Sequence, residues 1–150
     1  MHTTTKIKKM YEPTPYILLI DDDEDDLEMF SSGLESKDIK VKTFDSSAKA
    51  LFYLTLMSDN KELPSLIIMD YNMPTKNGGQ VLSLIKGNTE TKNIPVVMYS
   101  TSMPDFLREQ LSNDGALDCF SKPWNTKELN SQIETFQELA NSFISNKKLA

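Results

Sequence analysis

Two short apolar runs in this chain each end abruptly in aspartate. Residues 16–20 (YILLI) lead into Asp21 and Asp22, and residues 66–69 (LIIM) lead into Asp70. Such runs have the length of a buried strand and are far too short to cross a membrane. A buried strand does not normally finish on a charge unless that charge has a partner or a function at the edge of the sheet. The two runs therefore predict strands whose tips meet in an acidic, metal-assisted site.

Strand-like and helix-like segments alternate along the rest of the chain. The predicted strands cover residues 16–20, 40–44, 66–69, 95–100 and 118–121, and an amphipathic helical pattern follows each of them. This alternation predicts a doubly wound α/β fold, in which helices cover both faces of a five-stranded parallel sheet. Ligands bind such sheets beyond the carboxyl ends of the strands, where strand order reverses. Five polar residues follow predicted strands and are expected at this edge: Asp21, Asp22, Asp70, Ser100 and Lys122.

Size and composition indicate one folded domain. The 150 residues, of which 39% are apolar and 25% charged, are enough to bury a substantial core. We expect a flexible leader over residues 1–15, a folded domain over 16–145 and a short tail over 146–150. The net charge of −6 argues against a nucleic-acid partner, which requires a basic surface. No apolar run approaches the length of a membrane span, so no membrane partner is expected.

The cysteine and histidine content narrows the chemistry and the cellular compartment. The single cysteine, Cys119, excludes an intramolecular disulfide and fits a reducing cytoplasm. The single histidine, His2, lies in the predicted leader, so neither a histidine-based nucleophilic apparatus nor a zinc site is expected. The glycines do not form a nucleotide-binding loop. Carboxylates, hydroxyls and lysines must therefore carry any chemistry.

The residues at the predicted strand ends form a combination suited to phosphoryl chemistry. Carboxylates of Asp21, Asp22 and Asp70 repel one another when packed closely, and a hard divalent cation such as Mg²⁺ relieves that repulsion. Lys122 adds a positive charge and Ser100 adds a hydroxyl donor, and both suit the oxygens of a phosphoryl group. Asp70 can then act as a nucleophile on phosphorus and form an aspartyl phosphate.

Four motifs, in this order, closely resemble the receiver domain of two-component response regulators. They are the acidic pair at 21–22, the stretch 69–74 (MDYNMP) with Gly78, the strand 95–100 (PVVMYS) and the pair Lys122-Pro123. The resemblance covers residues 16–144 and implies a flavodoxin-like fold with strand order 2-1-3-4-5. It also implies a phosphoacceptor switch protein, whose only catalysis is its own phosphoryl transfer and dephosphorylation, rather than an enzyme.

The resemblance implies roles for the reacting residues. Asp70 would accept the phosphoryl group, Lys122 would grip it, and Ser100 would be the switch hydroxyl that moves toward it. In the family, an aromatic residue usually stands three positions before the lysine and rotates inward when the hydroxyl moves. Cys119 stands at that position in this chain, so the sequence does not supply the usual aromatic group.

Magnesium is the implied cofactor. By resemblance, Asp22, Asp70 and the backbone carbonyl of Asn72 would bind Mg²⁺, and Asp21 would act mainly through bound water. The other acidic residues near the first strand are expected to stabilise the first turn of the following helix through its macrodipole. These residues are Asp25, Asp26 and Glu28.

The resemblance also implies partners. We expect a stand-alone receiver, because the stretch after Lys122 is long enough only for a last helix and a tail. Its phosphodonor would be a sensor histidine kinase or a histidine phosphotransfer protein. Its output would be contact with an unknown protein target, or passage of the phosphoryl group onward in a relay. A homodimer is possible through the helix that starts at Pro104, the last strand and the final helix.

Two alternatives stay open at this point. A phosphatase of the haloacid dehalogenase type also combines an acidic strand end, a hydroxyl, a lysine and Mg²⁺. It requires D-x-D-x-T/V after the first strand, and the pair Asp21 and Asp23 is followed by Asp25 where that motif needs threonine or valine. The other alternative is a receiver-like scaffold that acts without phosphate.

Overall fold

A computed structural model describes the backbone of residues 15–149 and the side chains of residues 15–143. Five strands and five helices alternate along this part of the chain, as the sequence predicts. In chain order they are β1 (Ile17–Ile20), α1 (Glu24–Glu35), β2 (Val41–Phe44), α2 (Ser47–Asn60), β3 (Leu66–Asp70), α3 (Gly78–Lys86), β4 (Val96–Ser100), α4 (Asp105–Asn113), β5 (Asp118–Ser121) and α5 (Thr126–Leu149).

The five strands form one parallel sheet in the order β2-β1-β3-β4-β5. This order confirms the predicted doubly wound α/β fold, and strand order reverses between β1 and β3. Every residue of β1, β3 and β4 is buried, because helices cover both faces of the sheet. For this reason the central strands appear in the sequence as continuous apolar runs. The edge strands β2 and β5 are partly exposed and more polar.

Two apolar layers hold the helices against the sheet. On one face α1 and α5 pack against alternate strand residues, and on the other face α2, α3 and α4 do so. Aromatic rings dominate the first layer: the ring centroid of Phe30 lies 5.2 Å from that of Tyr99 and 5.7 Å from that of Phe136. Side chains alternate between faces along a strand, so Asp70 and Tyr99, which pair in register, lie on this same side of the sheet.

Two helices begin close to the strand tips because polar side chains cap them. The carboxylate of Asp23 accepts hydrogen bonds from the backbone N–H groups of Asp25 and Asp26, so α1 begins directly after the acidic end of β1. Asn77 and Gln80 form a reciprocal capping box at the start of α3. The caps fix how the loops leave the sheet, and therefore where the site residues lie.

The loop after β3 passes close to the start of α3. A Cβ atom at Gly78 would lie 2.9 Å from the carbonyl oxygen of Asp70 and 2.6 Å from the sulfur of Met98. The backbone N–H of Gly78 also donates to the carbonyl oxygen of Tyr71 at 2.8 Å. A side chain at this position would push the loop away from the end of β3, so glycine is required.

The last two helices start differently from each other. Helix α4 begins at Asp105, and Pro104 is its N-cap residue without a side-chain hydrogen bond. The prediction that Pro104 is the first helical residue is therefore wrong by one position. At α5 the side chain of Asn125 accepts from the backbone N–H of Glu128 at 2.9 Å, as an N-cap does.

The predicted domain boundaries stay a prediction. Residues 1–14 of the expected leader, including His2, lie outside the described residues. Helix α5 runs to Leu149, within the segment expected to form a tail. Among the helices that are described, none combines the length and the apolar character that a membrane crossing requires.

Candidate functional site

Three aspartates meet where β1 and β3 end. Each of Asp21, Asp22 and Asp70 offers a carboxylate oxygen, and these atoms all lie within 4.8 Å of one another. Asp21 is 0% exposed and Asp70 is 1% exposed, whereas Asp22 is open to solvent. Two buried carboxylates with a third beside them are an oxygen-rich donor set of the kind that a hard divalent cation prefers. The residues present therefore fit a Mg²⁺ or Mn²⁺ ion.

Asp21 is held by hydrogen bonds to both of its carboxylate oxygens. Oδ1 accepts from the backbone N–H of Asp23 at 2.9 Å, and Oδ2 accepts from the hydroxyl of Tyr99. The ammonium of Lys122 lies 3.4 Å from Oδ2. Burial raises the pKa of Asp21, although these hydrogen bonds and the nearby ammonium oppose the rise. Burial and the charge of Asp21 raise the pKa of Tyr99 well above its usual range, so the phenol keeps the proton that it donates.

Asp70 has fewer donors around it. Its Oδ1 accepts from the backbone N–H of Asn72 at 3.2 Å, and its Oδ2 lies 3.5 Å from the ammonium of Lys122. Burial, followed by the charge of Asp21, raises the pKa of Asp70 to about 7, while Lys122 and the Asn72 N–H oppose the rise. Asp70 is therefore a buried carboxyl whose charge the surrounding residues compensate only in part.

Lys122 supplies the positive charge of the site. Its ammonium contacts Asp21 and Asp70, but its shortest contact is a hydrogen bond of 2.8 Å to Oδ2 of Asp26 on α1. It also lies 5.2 Å from the ring centroid of Tyr99. Burial alone would lower the pKa of Lys122, but the hydrogen bond to Asp26 and the charges of Asp21 and Asp70 outweigh it and raise the pKa. The ammonium therefore stays charged.

Ser100 is joined to the acidic site through a side chain. It is 0% exposed, and its hydroxyl accepts a hydrogen bond of 2.8 Å from the side-chain amide of Asn72. Its carbonyl oxygen accepts from the backbone N–H of Lys122 at 2.8 Å, which ties the ends of β4 and β5 together. Asn72 thus bonds to Asp70 through its backbone and to Ser100 through its side chain.

All the residues that the sequence predicts for the site therefore lie at one edge of the sheet. Their roles as nucleophile, switch hydroxyl and metal ligands, including the backbone carbonyl of Asn72, remain predictions. Two further residues take part that were not predicted. Tyr99 donates to Asp21, and only the register of β4 against β3, which the sequence pattern does not show, places it there. Asp26 was expected only to stabilise the first turn of α1, yet it pairs with Lys122.

Cys119 lies inside the core. It is 2% exposed and packs among the apolar residues on the side of the sheet covered by α2, α3 and α4. Burial raises the pKa of its thiol, and the guanidinium of Arg108 on α4 donates to its carbonyl oxygen. Tyr99 and Phe120 belong to the opposite layer. The position that carries an aromatic residue in the family therefore holds a small packing residue in this chain.

The fold and the site together define a doubly wound α/β domain with an acidic pocket at its topological switch point, whose residues fit a divalent cation. A family model described as the response regulator receiver domain matches residues 17–134. The chain belongs to this family, which serves two-component signalling. Its membership places it among signalling proteins rather than among conventional enzymes. Domains of this family bind Mg²⁺ or Mn²⁺ in the acidic pocket and interact with histidine kinases or phosphotransfer proteins.

Individual relatives agree with this assignment. The two-component response regulator ORR3 of Oryza sativa is 37% identical over 117 residues, which are 77% of this chain and 86% of the rice protein. The CpxR homolog of Haemophilus influenzae, a transcriptional regulatory protein, is 33% identical and matches 79% of this chain but 48% of its own length. The Mn²⁺-bound form of response regulator Rcp1 is 27% identical with a TM-score of 0.73, covering 87% of this chain and 94% of that one.

Proposed function

We propose that Asp70 accepts a phosphoryl group from a phosphohistidine on a sensor histidine kinase or a histidine phosphotransfer protein. Asp70 carries this proposal because it is buried beside Asp21 and Lys122. Among the residues that the structure describes, one donor group, the backbone N–H of Asn72, gives it a hydrogen bond. Its remaining oxygen faces the ammonium at a distance longer than a hydrogen bond. This carboxylate is therefore held less firmly than that of Asp21, and its oxygens keep lone pairs with which to attack.

The proposed reaction is a nucleophilic displacement at phosphorus. An oxygen of Asp70 forms a new bond to phosphorus, the bond between phosphorus and the imidazole nitrogen breaks, and its electron pair stays with the imidazole. Lys122 provides a positive charge beside the phosphoryl oxygens. Ser100 provides a hydroxyl that accepts from the amide of Asn72 and keeps its own O–H as a donor for a phosphoryl oxygen.

Mg²⁺ is the proposed cofactor of this reaction. Asp21, Asp22, Asp70 and the backbone carbonyl of Asn72 would hold the ion, directly or through water. When bound, the ion neutralises negative charge on the carboxylates and on the phosphoryl oxygens. Lys122 by itself supplies only one positive charge against the three clustered carboxylates. The need for a further cation supports Mg²⁺ dependence.

The phosphatase alternative has less support. It would need the aspartate at the end of β1, Asp21, as its nucleophile. Both oxygens of Asp21 already accept hydrogen bonds, from Asp23 and from Tyr99. A carboxylate held in this way is suited to orientation rather than to attack, so Asp70 is the better nucleophile.

The proposed output is a change at the surface formed by α4, β5 and α5. Phosphorylation would shift a pre-existing equilibrium between two arrangements of this surface. Phe106 on α4 is 73% exposed and Leu117, just before β5, is 48% exposed, so this surface offers apolar side chains to a protein partner. The partner would be a downstream protein or a second copy of the chain.

Intact mass spectrometry after incubation with acetyl phosphate and Mg²⁺ tests the phosphoacceptor role. We expect one phosphoryl adduct on the wild-type protein, and none on Asp70→Asn or after Mg²⁺ is removed with EDTA. No adduct on the wild-type protein, under conditions that label another receiver domain, would contradict the proposal. Steady turnover of small phosphomonoesters would instead support the phosphatase. Partner binding that does not respond to phosphodonor or to Asp70→Asn would support the scaffold.

A further inference from the structure

The closest partner of the site lysine is not one of the clustered aspartates. Nζ of Lys122 lies 2.8 Å from Oδ2 of Asp26, against 3.4 Å from Asp21 and 3.5 Å from Asp70. The side chains of Lys122 and Asp26 are 18% and 19% exposed, so water screens this pair less than it would an ion pair on the open surface. Asp26 therefore holds the ammonium more closely than Asp70 does.

This contact competes with the proposed use of the lysine. An ammonium has three N–H donors, and the one aimed at Asp26 makes a hydrogen bond of ordinary length to its carboxylate. To donate to a phosphoryl oxygen on Asp70, Lys122 must shift away from Asp26 or share its charge between the two anions. Phosphorylation of Asp70 would therefore weaken the ion pair between Lys122 and Asp26.

We propose that Asp26 is a positioning residue that draws Lys122 away from Asp70 and thereby slows phosphorylation. This inference rests on the proposed phosphoacceptor role of Asp70. Asp26 is not one of the three clustered carboxylates, and its ion-pair contact at the site is with Lys122.

The charge of Asp26 has two consequences of opposite sign. A negative charge next to the site disfavours the arrival of a phosphoryl anion, and the same charge favours the binding of a divalent cation. Replacing Asp26 by asparagine should therefore speed phosphoryl transfer and, in the same protein, weaken Mg²⁺ binding. A general loss of structure would instead impair both.

The chain offers a matched control in the same helical turn. Asp25 carries the same charge in the first turn of α1, and its backbone N–H is also capped by Asp23. Asp25 is exposed and Lys122 contacts Asp26 instead. Asp25→Asn therefore removes the same contribution to the helix macrodipole and leaves the ion pair in place.

Fluorescence of the single tryptophan gives a direct signal. Trp124 lines the same groove as Asp26 and Lys122, two residues beyond the lysine, and the chain has no other tryptophan. Stopped-flow fluorescence with acetyl phosphate at saturating Mg²⁺ measures the phosphorylation rate. A titration with Mg²⁺ alone measures cation affinity, and intact mass confirms the adduct.

We expect Asp26→Asn to be phosphorylated about threefold to tenfold faster than the wild-type protein, the effect of losing one partly buried ion pair. Its affinity for Mg²⁺ should fall about twofold to threefold. Asp25→Asn should match the wild-type protein in both measurements, and Asp26→Glu should restore the slow rate. Asp26→Ala, which removes the acceptor altogether, is measured beside Asp26→Asn so that poor folding of one variant does not decide the result.

An unchanged or slower rate in folded Asp26→Asn and Asp26→Ala would overturn the inference, since Asp26 would then support Lys122 rather than compete for it. An equal acceleration in Asp25→Asn would also overturn it, because the effect would come from overall charge. Failure of the phosphoacceptor role is recognised separately. In that case the wild-type protein and Asp25→Asn give no adduct at all.

Discussion

Asp21 and Asp70 end neighbouring strands, and both are buried, yet their surroundings differ. Asp21 accepts hydrogen bonds at both oxygens, from the backbone of Asp23 and from the hydroxyl of Tyr99. Asp70 accepts a single hydrogen bond from a donor group, and its other oxygen faces Lys122 at 3.5 Å. A carboxylate that accepts hydrogen bonds at both oxygens keeps one orientation. A carboxylate that accepts at one oxygen can turn toward an incoming group. The difference teaches that a shared position and burial do not give two aspartates the same role.

The largest expected effect concerns the stability of the metal-free protein. The pKa of Asp70 rises from the ordinary value of 3.8 to about 7, so the folded state favours the protonated acid. The wild-type protein should therefore lose stability relative to Asp70→Asn as the pH rises from about 4 to about 7, with no further loss above that range. At about pH 8 in EDTA, Asp70→Asn should be more stable by about 4 kcal/mol.

Urea unfolding at acidic and alkaline pH measures this difference, with and without Mg²⁺. The advantage of Asp70→Asn should shrink at about pH 5 and when Mg²⁺ compensates the wild-type carboxylates. If the wild-type protein and Asp70→Asn were equally stable at both pH values, the charge of Asp70 would already be compensated. The contrast with Asp21 would then be lost.

The second prediction distinguishes the metal-binding role of Asp21 from the phosphoacceptor role of Asp70. Asp21→Asn should weaken Mg²⁺ binding about tenfold to hundredfold, because it removes a charge from the donor set while leaving Asp70 in place. Enough Mg²⁺ should restore a phosphoryl adduct to this variant, whereas no Mg²⁺ concentration should restore one to Asp70→Asn. Titration of Trp124 fluorescence and intact mass measure the two properties. If Asp21→Asn bound Mg²⁺ like the wild-type protein, Asp21 would have no part in the metal site.

The third effect tests the hydrogen bond that distinguishes Asp21. Tyr99→Phe keeps the ring that packs on Phe30 and removes only the hydroxyl that donates to Asp21. A buried carboxylate oxygen then loses its donor, which should lower the free energy of unfolding in EDTA by about 1–2 kcal/mol. Unfolding in urea checks this value, and Tyr71→Phe serves as a control for loss of a tyrosine hydroxyl near the site. An unchanged stability would show that Asp21 does not depend on Tyr99.

The smallest effect concerns the switch hydroxyl. Asn72→Ala removes the side chain that donates to Ser100 but keeps the backbone N–H and carbonyl next to Asp70. We expect a loss of about 0.5–1 kcal/mol in stability, together with a faster response of Trp124 fluorescence to phosphodonor. A slower response would indicate that the amide assists the reaction rather than restraining Ser100.

Much of the fold could be predicted from the sequence, because a parallel sheet covered on both faces requires a recognisable sequence pattern. Its central strands have to be apolar throughout, and the first polar residue after each one marks a position at the binding edge. Asp21, Asp70 and Ser100 were found in this way, and Lys122 was found from its position just past the last predicted strand. The exact start of α4 was not, since Pro104 is compatible with either the N-cap or the first helical position.

Other parts of the site depend on tertiary packing, which the sequence pattern does not encode. Tyr99 appears as one more apolar residue in a buried strand, and only the register of β4 against β3 places its hydroxyl beside two carboxylates. Asp25 and Asp26 are equivalent as acidic residues in a first helical turn. Which of them meets Lys122 depends on how α1 is rotated against the end of β5.

Identification of the phosphorylated residue tests the central claim most directly. The protein is incubated with acetyl phosphate and Mg²⁺, the acyl phosphate is reduced with borohydride, and the digest is sequenced by tandem mass spectrometry. Reduction converts a phosphorylated aspartate to homoserine, and we predict homoserine at position 70 alone. Homoserine in place of Asp21 or Asp22, or no homoserine in protein that carries an adduct, would contradict the assignment of Asp70 as the phosphoacceptor.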